Sequence, residues 1–248
     1  MTSSKALHSN MQKHLAEIWV TDAKPFSAEK RERLASRYLS DEEQKRLAKM
    51  THPQTADVFL CARAMTRKVL AQKTAQKPDE INIALAENGK PYLPDFPELH
   101  FNISHAQRKI ALAVAPVPTG IDLENSARNI EKSLIIKKYF TEAERKSIDD
   151  SGDTTEAFFS TWTAKEAILK GTGEGLGGLN SLELSLTPTE HTGNETYGCK
   201  FASTVINSPN YAAWTSRTFM PSDTHIATVA LKAPDFLFEL NLFNTDSL

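Results

Sequence analysis

Two short stretches of this sequence carry side chains suited to phosphate chemistry, Asp122 and Glu124 in the first and Glu166 and Lys170 in the second. The two acids of the first stretch alternate with apolar residues, which is typical of a strand, so both carboxylates are expected on one face. The second stretch has helical periodicity, and its glutamate and lysine are four positions apart, on one helical face. If the two faces meet, three carboxylates and a lysine converge.

Such a cluster predicts a bound cation. Carboxylates about 4 Å apart repel each other by roughly 4 kcal/mol per pair at an effective dielectric constant of 20. Oxygen ligands without His or Cys favour a hard ion, and Mg²⁺ is the expected one. Because Mg²⁺ usually keeps waters and takes substrate phosphates as its other ligands, Lys170 would face phosphate oxygens. The two stretches therefore predict a magnesium-dependent site for phosphate chemistry.

The elements that position these residues mix helices and strands along the chain. Periodicity predicts a long helix over 53–71 and a central one over 155–170, with strand-like runs before and after each. We therefore predict an α+β fold with two α/β subdomains, 1–116 and 117–248, and a cleft between them at Asp122.

Both ends of the chain are expected to be peripheral. The first dozen residues are polar and are expected to fray. The tail beyond Pro234 is expected to lie against the outside of the fold as a strap.

Composition narrows the class of protein. The 248 residues carry a formal net charge of −2, so no global basic field argues for a nucleic-acid partner. No apolar run is long enough to span a bilayer, and the N-terminus lacks a signal-peptide core, so no membrane partner is expected. Cys61 and Cys199 form neither a disulfide framework nor a zinc motif. These features favour a cytoplasmic protein.

Two motifs have purely structural explanations. Thr141 and Glu144 have the spacing of a capping box, in which the glutamate reaches back to the backbone amide of the threonine. The glycine-rich run 171–175 resembles a phosphate-binding loop, but it follows a helix, and glycines there more often form a C-cap.

Three motifs in order resemble those of the Sfp-type 4′-phosphopantetheinyl transferases. They are Asn88-Gly89-Lys90-Pro91 with Phe101-Asn102-Ile103-Ser104-His105, then Gly120-Ile121-Asp122-Leu123-Glu124, then Trp162-x-x-Lys165-Glu166-Ala167-x-x-Lys170. Each motif alone is weak evidence, but their co-occurrence in one chain is specific. The resemblance covers approximately residues 39–232.

The resemblance implies both a fold and a reaction. Its fold has two similar α/β halves related by a pseudo-two-fold, with coenzyme A and Mg²⁺ bound between them. Its reaction transfers the phosphopantetheine arm of coenzyme A to a serine of an apo carrier protein and releases 3′,5′-ADP, as in holo-acyl-carrier-protein synthases. Carriers of fatty-acid, polyketide and nonribosomal peptide biosynthesis all remain open as substrates.

The resemblance also implies roles for individual residues. Its metal ligands fall on Asp122, Glu124 and Glu166, and its catalytic residues on Glu144 as a suggested base, Glu166, and Lys170 at the pyrophosphate. Its other coenzyme A contacts fall on Gly89, Lys90 and Pro91 at the adenine side and on Ser104 and His105 at the 3′-phosphate, with Lys45 and Arg46 as candidates for a basic N-terminal patch. The proton acceptor remains open between Glu144 and a metal-bound water. Where relatives often place Arg or His, this chain has Gln54 and Thr55, which weakens the predicted grip on the 3′-phosphate.

The expected protein partner is an acyl or peptidyl carrier protein. Carrier proteins tend to be acidic, so the basic stretch 128–138, which includes Ile135 and Ile136, is the candidate docking surface. The same stretch also fits an amphipathic helix packed on its own core. A monomer is expected, since the pseudo-dimer lies within one chain.

Two other functions share these features. A magnesium-dependent phosphohydrolase would use the same carboxylates and lysine, but it would consume coenzyme A without a protein acceptor. A non-catalytic module that binds coenzyme A or a carrier protein would bind its ligand without turnover. The presence of both Glu166 and Lys170 favours catalysis over the binding module.

Overall fold

The computed structural model describes residues 15–189 and 199–248, and it has helices and strands in both halves. The mixture confirms the predicted α+β class. The predicted fraying of the first dozen residues lies outside the described ranges. Among the described residues, no helix is both long and apolar enough to cross a membrane.

The two halves run through similar orders of elements. The first contains β1 (Leu15–Asp22), α1 (Ala28–Tyr38), α2 (Asp41–Ala48), α3 (Pro53–Thr74), β2 (Ala84–Leu85), β3 (Pro91–Tyr92), β4 (His100–Ala106) and β5 (Lys109–Ala115). The second contains β6 (Thr119–Asn125), α4 (Lys132–Tyr139), α5 (Glu142–Asp149), α6 (Thr154–Thr172), β7 (Glu183–Pro188), β8 (Cys199–Ile206), β9 (Thr215–Ser222), β10 (His225–Leu231) and β11 (Leu237–Leu242).

Each half is built on its own sheet. The first sheet has the strand order β11-β1-β5-β4, and the second has the order β6-β10-β9-β8-β7. In both halves a first strand is followed by two short helices and one long helix, and a later strand returns to pair antiparallel with the first, β5 with β1 and β10 with β6. The short hairpin of β2 and β3 stands apart from both sheets.

Local sequence signals define the ends of the helices that carry the site. The capping box of Thr141 and Glu144 at the start of α5 is present, as predicted. Asp153 caps α6 by accepting hydrogen bonds from the backbone amides of Thr155 and Glu156, at 2.9 and 3.0 Å. The helix ends at Gly173, whose φ of 87° is left-handed, so the glycine-rich run is a C-cap, as predicted.

The two sheets meet at β4 and β6. Ile121 and Leu123 of β6 are 0% and 2% exposed and belong to an apolar cluster shared with the first sheet. The side-chain oxygen of Asn102 on β4 accepts a hydrogen bond from the backbone amide of Ile121 at 2.9 Å. This contact fixes β6, the strand of Asp122 and Glu124, against the N-terminal half.

The C-terminal strand differs from the predicted organisation. The tail beyond Pro234 was expected to be a strap, but β11 pairs in parallel with β1 and forms an edge of the N-terminal sheet. Phe238 is 6% exposed and packs into the cluster between the sheets, which explains why the strand lies there. The predicted division at 116/117 therefore does not hold for β11.

Candidate active site

Two glycines bring the strand β6 into direct contact with the helix α6. A Cβ atom on Gly120 would lie 2.0 Å from the carbonyl oxygen of Ala167 and 2.5 Å from the backbone nitrogen of Gly171, far inside van der Waals contact. Because no side chain separates the two backbones, residues that follow Gly120 on the strand lie next to residues of the last turns of α6.

The Asp122 carboxylate is the centre of this junction. It is 5% exposed, and its Oδ1 accepts hydrogen bonds from Lys170 Nζ at 2.5 Å and from Ser104 Oγ at 3.1 Å. The ammonium of Lys170 also donates to Ser104 Oγ at 3.0 Å. The second oxygen, Oδ2, is buried and has no hydrogen-bond partner among the described residues. A buried carboxylate oxygen without a partner is a free ligand position.

The Glu124 carboxylate already has a positive neighbour. Its Oε1 accepts hydrogen bonds from Arg128 Nη2 at 3.0 Å and from the indole nitrogen of Trp162 at 3.3 Å. Burial, followed by repulsion from Asp122, raises the pKa of Glu124, and Arg128 opposes the rise. The guanidinium of Arg128 thus already neutralises part of the negative charge of the acidic cluster.

Glu166 faces the same two acids from the helix. Burial, followed by repulsion from Asp122, raises its pKa to about 7, while Lys170 lowers it. Glu166 and Lys170 both line one cavity of about 390 Å³ with Asp122 and Glu124. The side chains that the two motifs predicted to converge therefore do share one cavity.

The cavity has the donor set of a magnesium site but not its final arrangement. Among the described residues, no group of three His, Cys, Asp or Glu side chains is arranged to hold a metal ion. In this arrangement Lys170 pairs with Asp122, and Arg128 pairs with Glu124. The residues nevertheless fit a hard cation, because all the donors are carboxylate oxygens. One of them, Asp122 Oδ2, is buried and has no hydrogen-bond partner among the described residues.

A second cavity of about 490 Å³ adjoins the first, and His105 and Gln107 line both. Its basic side chains are Arg46 and Arg63, whose guanidinium carbons lie 5.2 and 5.4 Å from the ring centroid of Phe59. The two arginines therefore stand on an aromatic surface that faces the opening.

The predicted anion contacts near this second cavity are only partly assembled. His105 lines the cavity, and partial burial, followed by the charge of Lys170, lowers its pKa. Arg46 lines it as well, together with Gln54 and Thr55. Lys45 is an exposed residue of α2 that lines neither cavity. Lys45 stays a predicted contact, and its neighbour Arg46 is the one of the two that lines the second cavity.

Two further predicted groups of coenzyme A contacts lie outside the lining of the second cavity and stay predictions. The hydroxyl of Ser104, which is predicted to contact the 3′-phosphate, donates to Asp122 and accepts from Lys170 in the first cavity. The turn with Gly89 and Pro91 lines neither cavity, and the ammonium of Lys90 donates to the carbonyls of Thr119 (3.3 Å) and Gly171.

The suggested base Glu144 does not line the active-site cavity. Its side chain is 1% exposed and pairs with Lys165, which is 0% exposed, at 2.8 Å. Its oxygens also accept hydrogen bonds from the backbone amides of Thr141 at 2.9 Å and Leu184 at 3.0 Å. A carboxylate with these partners is enclosed in the core, so the assignment of Glu144 as base is replaced by a structural role.

Comparison with known proteins decides the family. A family model described as "4′-phosphopantetheinyl transferase, N-terminal" matches residues 24–117, and one described as "4′-phosphopantetheinyl transferase superfamily" matches residues 118–230. The chain is 31% identical over 156 residues to the 4′-phosphopantetheinyl transferase Sfp of Bacillus subtilis, an alignment that covers 62% of this chain and 68% of that protein. This chain is a 4′-phosphopantetheinyl transferase of the Sfp type.

Two more relatives align with larger parts of this chain. This chain is 31% identical over 199 residues to the 4′-phosphopantetheinyl transferase HetI of a Nostoc species, with 78% of each chain aligned. It is 29% identical over 217 residues to the mouse L-aminoadipate-semialdehyde dehydrogenase-phosphopantetheinyl transferase, with 82% of this chain and 70% of that protein aligned. The similarity therefore extends through both halves.

Sequence reasoning missed three residues of the transferase site. Trp162 and Asn102 stand inside the quoted motifs, but their partners are far away in sequence and no local pattern indicates them. Arg128 had a usable signal, because it lies four residues after Glu124 with opposite charge, yet it was assigned to the docking surface.

Proposed function

We propose that this transferase uses coenzyme A as donor and Mg²⁺ as cofactor, with the diphosphate of coenzyme A in the first cavity. The observation that carries the proposal is the convergence of Asp122, Glu124, Glu166 and Lys170 on one cavity where the two halves meet. The serine hydroxyl of the carrier attacks the phosphorus that bears the pantetheine arm, and the bond from that phosphorus to the oxygen of 3′,5′-ADP breaks.

The residues of the first cavity would hold the ion and the diphosphate. The carboxylates of Asp122, Glu124 and Glu166 would bind Mg²⁺, which when bound neutralises charge on the diphosphate and polarises the phosphorus. Lys170 offers an ammonium that suits phosphate oxygens without a demand for bidentate geometry. Its present bonds to Asp122 and Ser104 hold the ammonium at the edge of the cavity, ready for an anion.

The second cavity would receive the nucleotide end of coenzyme A. Arg46, Arg63 and His105 supply cationic and hydrogen-bonding groups for the 3′-phosphate, and Phe59 supplies a ring face between the arginines. His105 and Gln107 line both cavities, so one ligand can extend from the first cavity to the second. A dianionic phosphate would raise the pKa of this histidine and so strengthen its donated bond.

Glu166 replaces Glu144 as the candidate proton acceptor. It lines the cavity, and its pKa is about 7 in the metal-free site. Bound Mg²⁺ would lower that pKa, so a metal-bound water stays the alternative acceptor. A serine hydroxyl is a weak nucleophile until its proton is accepted, so a carboxylate at the cavity is the group that the reaction needs. Its proximity to Asp122 and Glu124 allows it to share in binding the ion before transfer.

The carrier protein would bind at the exposed face of α4. In the predicted stretch 128–138, Ile135 and Ile136 pack against the core of the C-terminal half, so the apolar part of the prediction is revised. The exposed apolar residue of this stretch is Leu134, which is 64% exposed, and the exposed Lys137 and Lys138 follow it three and four residues later on the same helix. A single apolar residue among lysines suits an acidic partner.

Three finer parts of the expectation belong to this proposal. The matching element order of the two halves supports a pseudo-two-fold relation between them. Because the two related halves lie within one chain, the relation supports a monomer. A protein that modifies carriers of fatty-acid, polyketide or peptide synthesis fits the cytoplasm.

Mass spectrometry of several apo carriers tests the proposal. Each carrier is incubated with the protein, coenzyme A and Mg²⁺, and a gain of the phosphopantetheine mass with release of 3′,5′-ADP is expected. Asp122→Asn and Glu166→Gln should abolish the gain while circular dichroism stays unchanged. Consumption of coenzyme A without any carrier would indicate a hydrolase, and retained magnesium-dependent transfer by both variants would refute the metal assignment.

A further inference from the structure

The turn between β2 and β3 contacts the junction of β6 and α6. It is held by a hydrogen bond from the backbone amide of Gly89 to the carbonyl of Ala86 at 2.8 Å, and by one from the amide of Lys90 to the side-chain oxygen of Asn88 at 3.1 Å. The left-handed φ of 81° at Gly89 closes the turn. These hydrogen bonds fix the backbone of Lys90 independently of the contacts of its side chain.

The side chain of Lys90 bonds both elements that carry the site. Its ammonium donates to the carbonyl of Thr119, at the start of β6, at 3.3 Å, and to the carbonyl of Gly171 in the last turn of α6. The last carbonyls of a helix have no intrahelical partner and carry the negative end of its dipole, so a cation there is doubly favoured.

The carbonyls that Lys90 binds flank the residues of the cavity. Thr119 directly precedes Gly120, where β6 contacts α6, and Gly171 directly follows Lys170. The Asp122 carboxylate is three residues further along the same strand. Lys90 therefore links the two backbones close to Asp122 and Lys170.

A second contact of the same turn points to the same junction. A Cβ on Gly173, the C-cap of α6, would lie 2.2 Å from the side-chain nitrogen of Asn88, so the turn packs directly on the helix end. Burial lowers the pKa of Lys90 to about 8, and the side chain is thus charged at neutral pH although it is half-buried.

We propose that Lys90 is a positioning residue that clamps β6 to α6 and so sets the spacing of Asp122 and Lys170 for the ion and the diphosphate. Its ammonium acts through the backbone carbonyls of Thr119 and Gly171. The inference rests on the proposed magnesium site. It predicts that loss of the ammonium weakens metal binding and turnover but leaves recognition of the 3′-phosphate unchanged.

The test compares Lys90→Met, Asn88→Ala and the control Lys232→Met, which removes an exposed lysine one residue after β10. Mg²⁺ binding is measured by isothermal titration, and kcat and KM are measured with coenzyme A and with 3′-dephospho-coenzyme A. We expect Lys90→Met to weaken Mg²⁺ binding and lower kcat by roughly 10- to 100-fold, as for other residues that orient ligands. The ratio of kcat/KM for the two donors should equal that of the wild type.

The second variant and the control keep the test decisive. Asn88→Ala should shift Mg²⁺ binding and kcat in the same direction by a smaller factor, and it carries the test if Lys90→Met does not fold. The control should match the wild type. A loss of preference for coenzyme A over its dephospho form in Lys90→Met would overturn the inference, as would unchanged Mg²⁺ binding and kcat. Failure of the wild type to transfer from either donor would instead count against the proposed function.

Discussion

Lys165 Nζ lies 2.8 Å from Glu144 Oε2, in the core of the C-terminal half, where the two side chains are 0% and 1% exposed. The ammonium also donates to the carbonyl of Tyr139 at 3.0 Å, and the carboxylate accepts from the amide of Leu184 at 3.0 Å. Burial lowers the pKa of Lys165, and Glu144 opposes that shift. The pair thus joins α4, α5, α6 and β7 directly beside Glu166.

We predict that Lys165→Met destabilises the protein by about 3–5 kcal/mol, because it leaves the Glu144 carboxylate buried without a partner. The double variant Glu144→Gln/Lys165→Met should lose less than the sum of the two single losses. Urea unfolding measures the free energy of unfolding of the two single variants and of the double variant. If Glu144→Gln keeps the stability and coenzyme A affinity of the wild type but loses transfer, Glu144 acts as a base after all.

Replacement of Arg128 by Gln should strengthen Mg²⁺ binding to the protein without coenzyme A. The guanidinium pairs with Glu124 at 3.0 Å and is 38% exposed, so the metal must displace a pair worth about 0.2–1 kcal/mol. We therefore expect a gain in Mg²⁺ affinity of up to about fivefold by isothermal titration.

The matched control for Arg128 is Arg145→Gln. Arg145 is an arginine whose guanidinium donates to the carbonyls of Ile136, at 3.3 Å, and Lys137, at 2.8 Å. This variant should bind Mg²⁺ as the wild type does. Weaker binding in Arg128→Gln would mean that the guanidinium supports the ion and does not compete with it.

The contribution of Glu166 to the stability of the metal-free protein should fall as the pH rises from 5 to 8. The pKa of Glu166 is about 7 in the folded state against an ordinary 4.5, so its stabilising contribution is complete below 4.5 and is lost as the pH passes 7. After allowance for solvent screening, we expect the change to be roughly 1–2 kcal/mol.

Urea unfolding in EDTA, at several pH values, measures this effect in the wild type and in Glu166→Gln. The variant should show a flatter profile, because its amide does not titrate. Added Mg²⁺ should restore the stability of the wild type at pH 8, since the ion binds the ionised carboxylate of the folded state. Parallel profiles of the two proteins would contradict the assignment of the shift to Glu166.

Charge reversal at Lys137 and Lys138 should slow binding of an acidic carrier. We expect KM for the carrier to rise by roughly tenfold at low ionic strength and the difference to shrink at high salt, because the lysines act through long-range attraction. KM for coenzyme A should not change. Lys232→Glu, at an exposed position after β10, is the control, and an equal effect there would show that only net charge matters.

Short-range patterns predicted the parts of the fold that depend on neighbouring residues. The alternation around Asp122 and the spacing of Glu166 and Lys170 gave a strand and a helix, because each periodicity reflects a single element. The capping box at Thr141 was predictable for the same reason.

Contacts between distant residues were not predictable in this way. Nothing near Lys90 in sequence indicates that its ammonium reaches Gly171, 81 residues away. The enclosure of Glu144 by Lys165 and the amide of Leu184 likewise depends on how three elements pack. A motif gives the type of a side chain, but the direction in which it points depends on the tertiary fold.

The parallel pairing of β11 with β1 means that the two halves are interlocked, since a strand from the second half completes the sheet of the first. A fragment that ends near residue 116 would leave the backbone groups of one side of β1 unbonded and would uncover the apolar face of Ile18, which is 0% exposed in the intact chain. We therefore expect the two halves not to fold as separately expressed pieces, so assays of coenzyme A binding should use the undivided polypeptide.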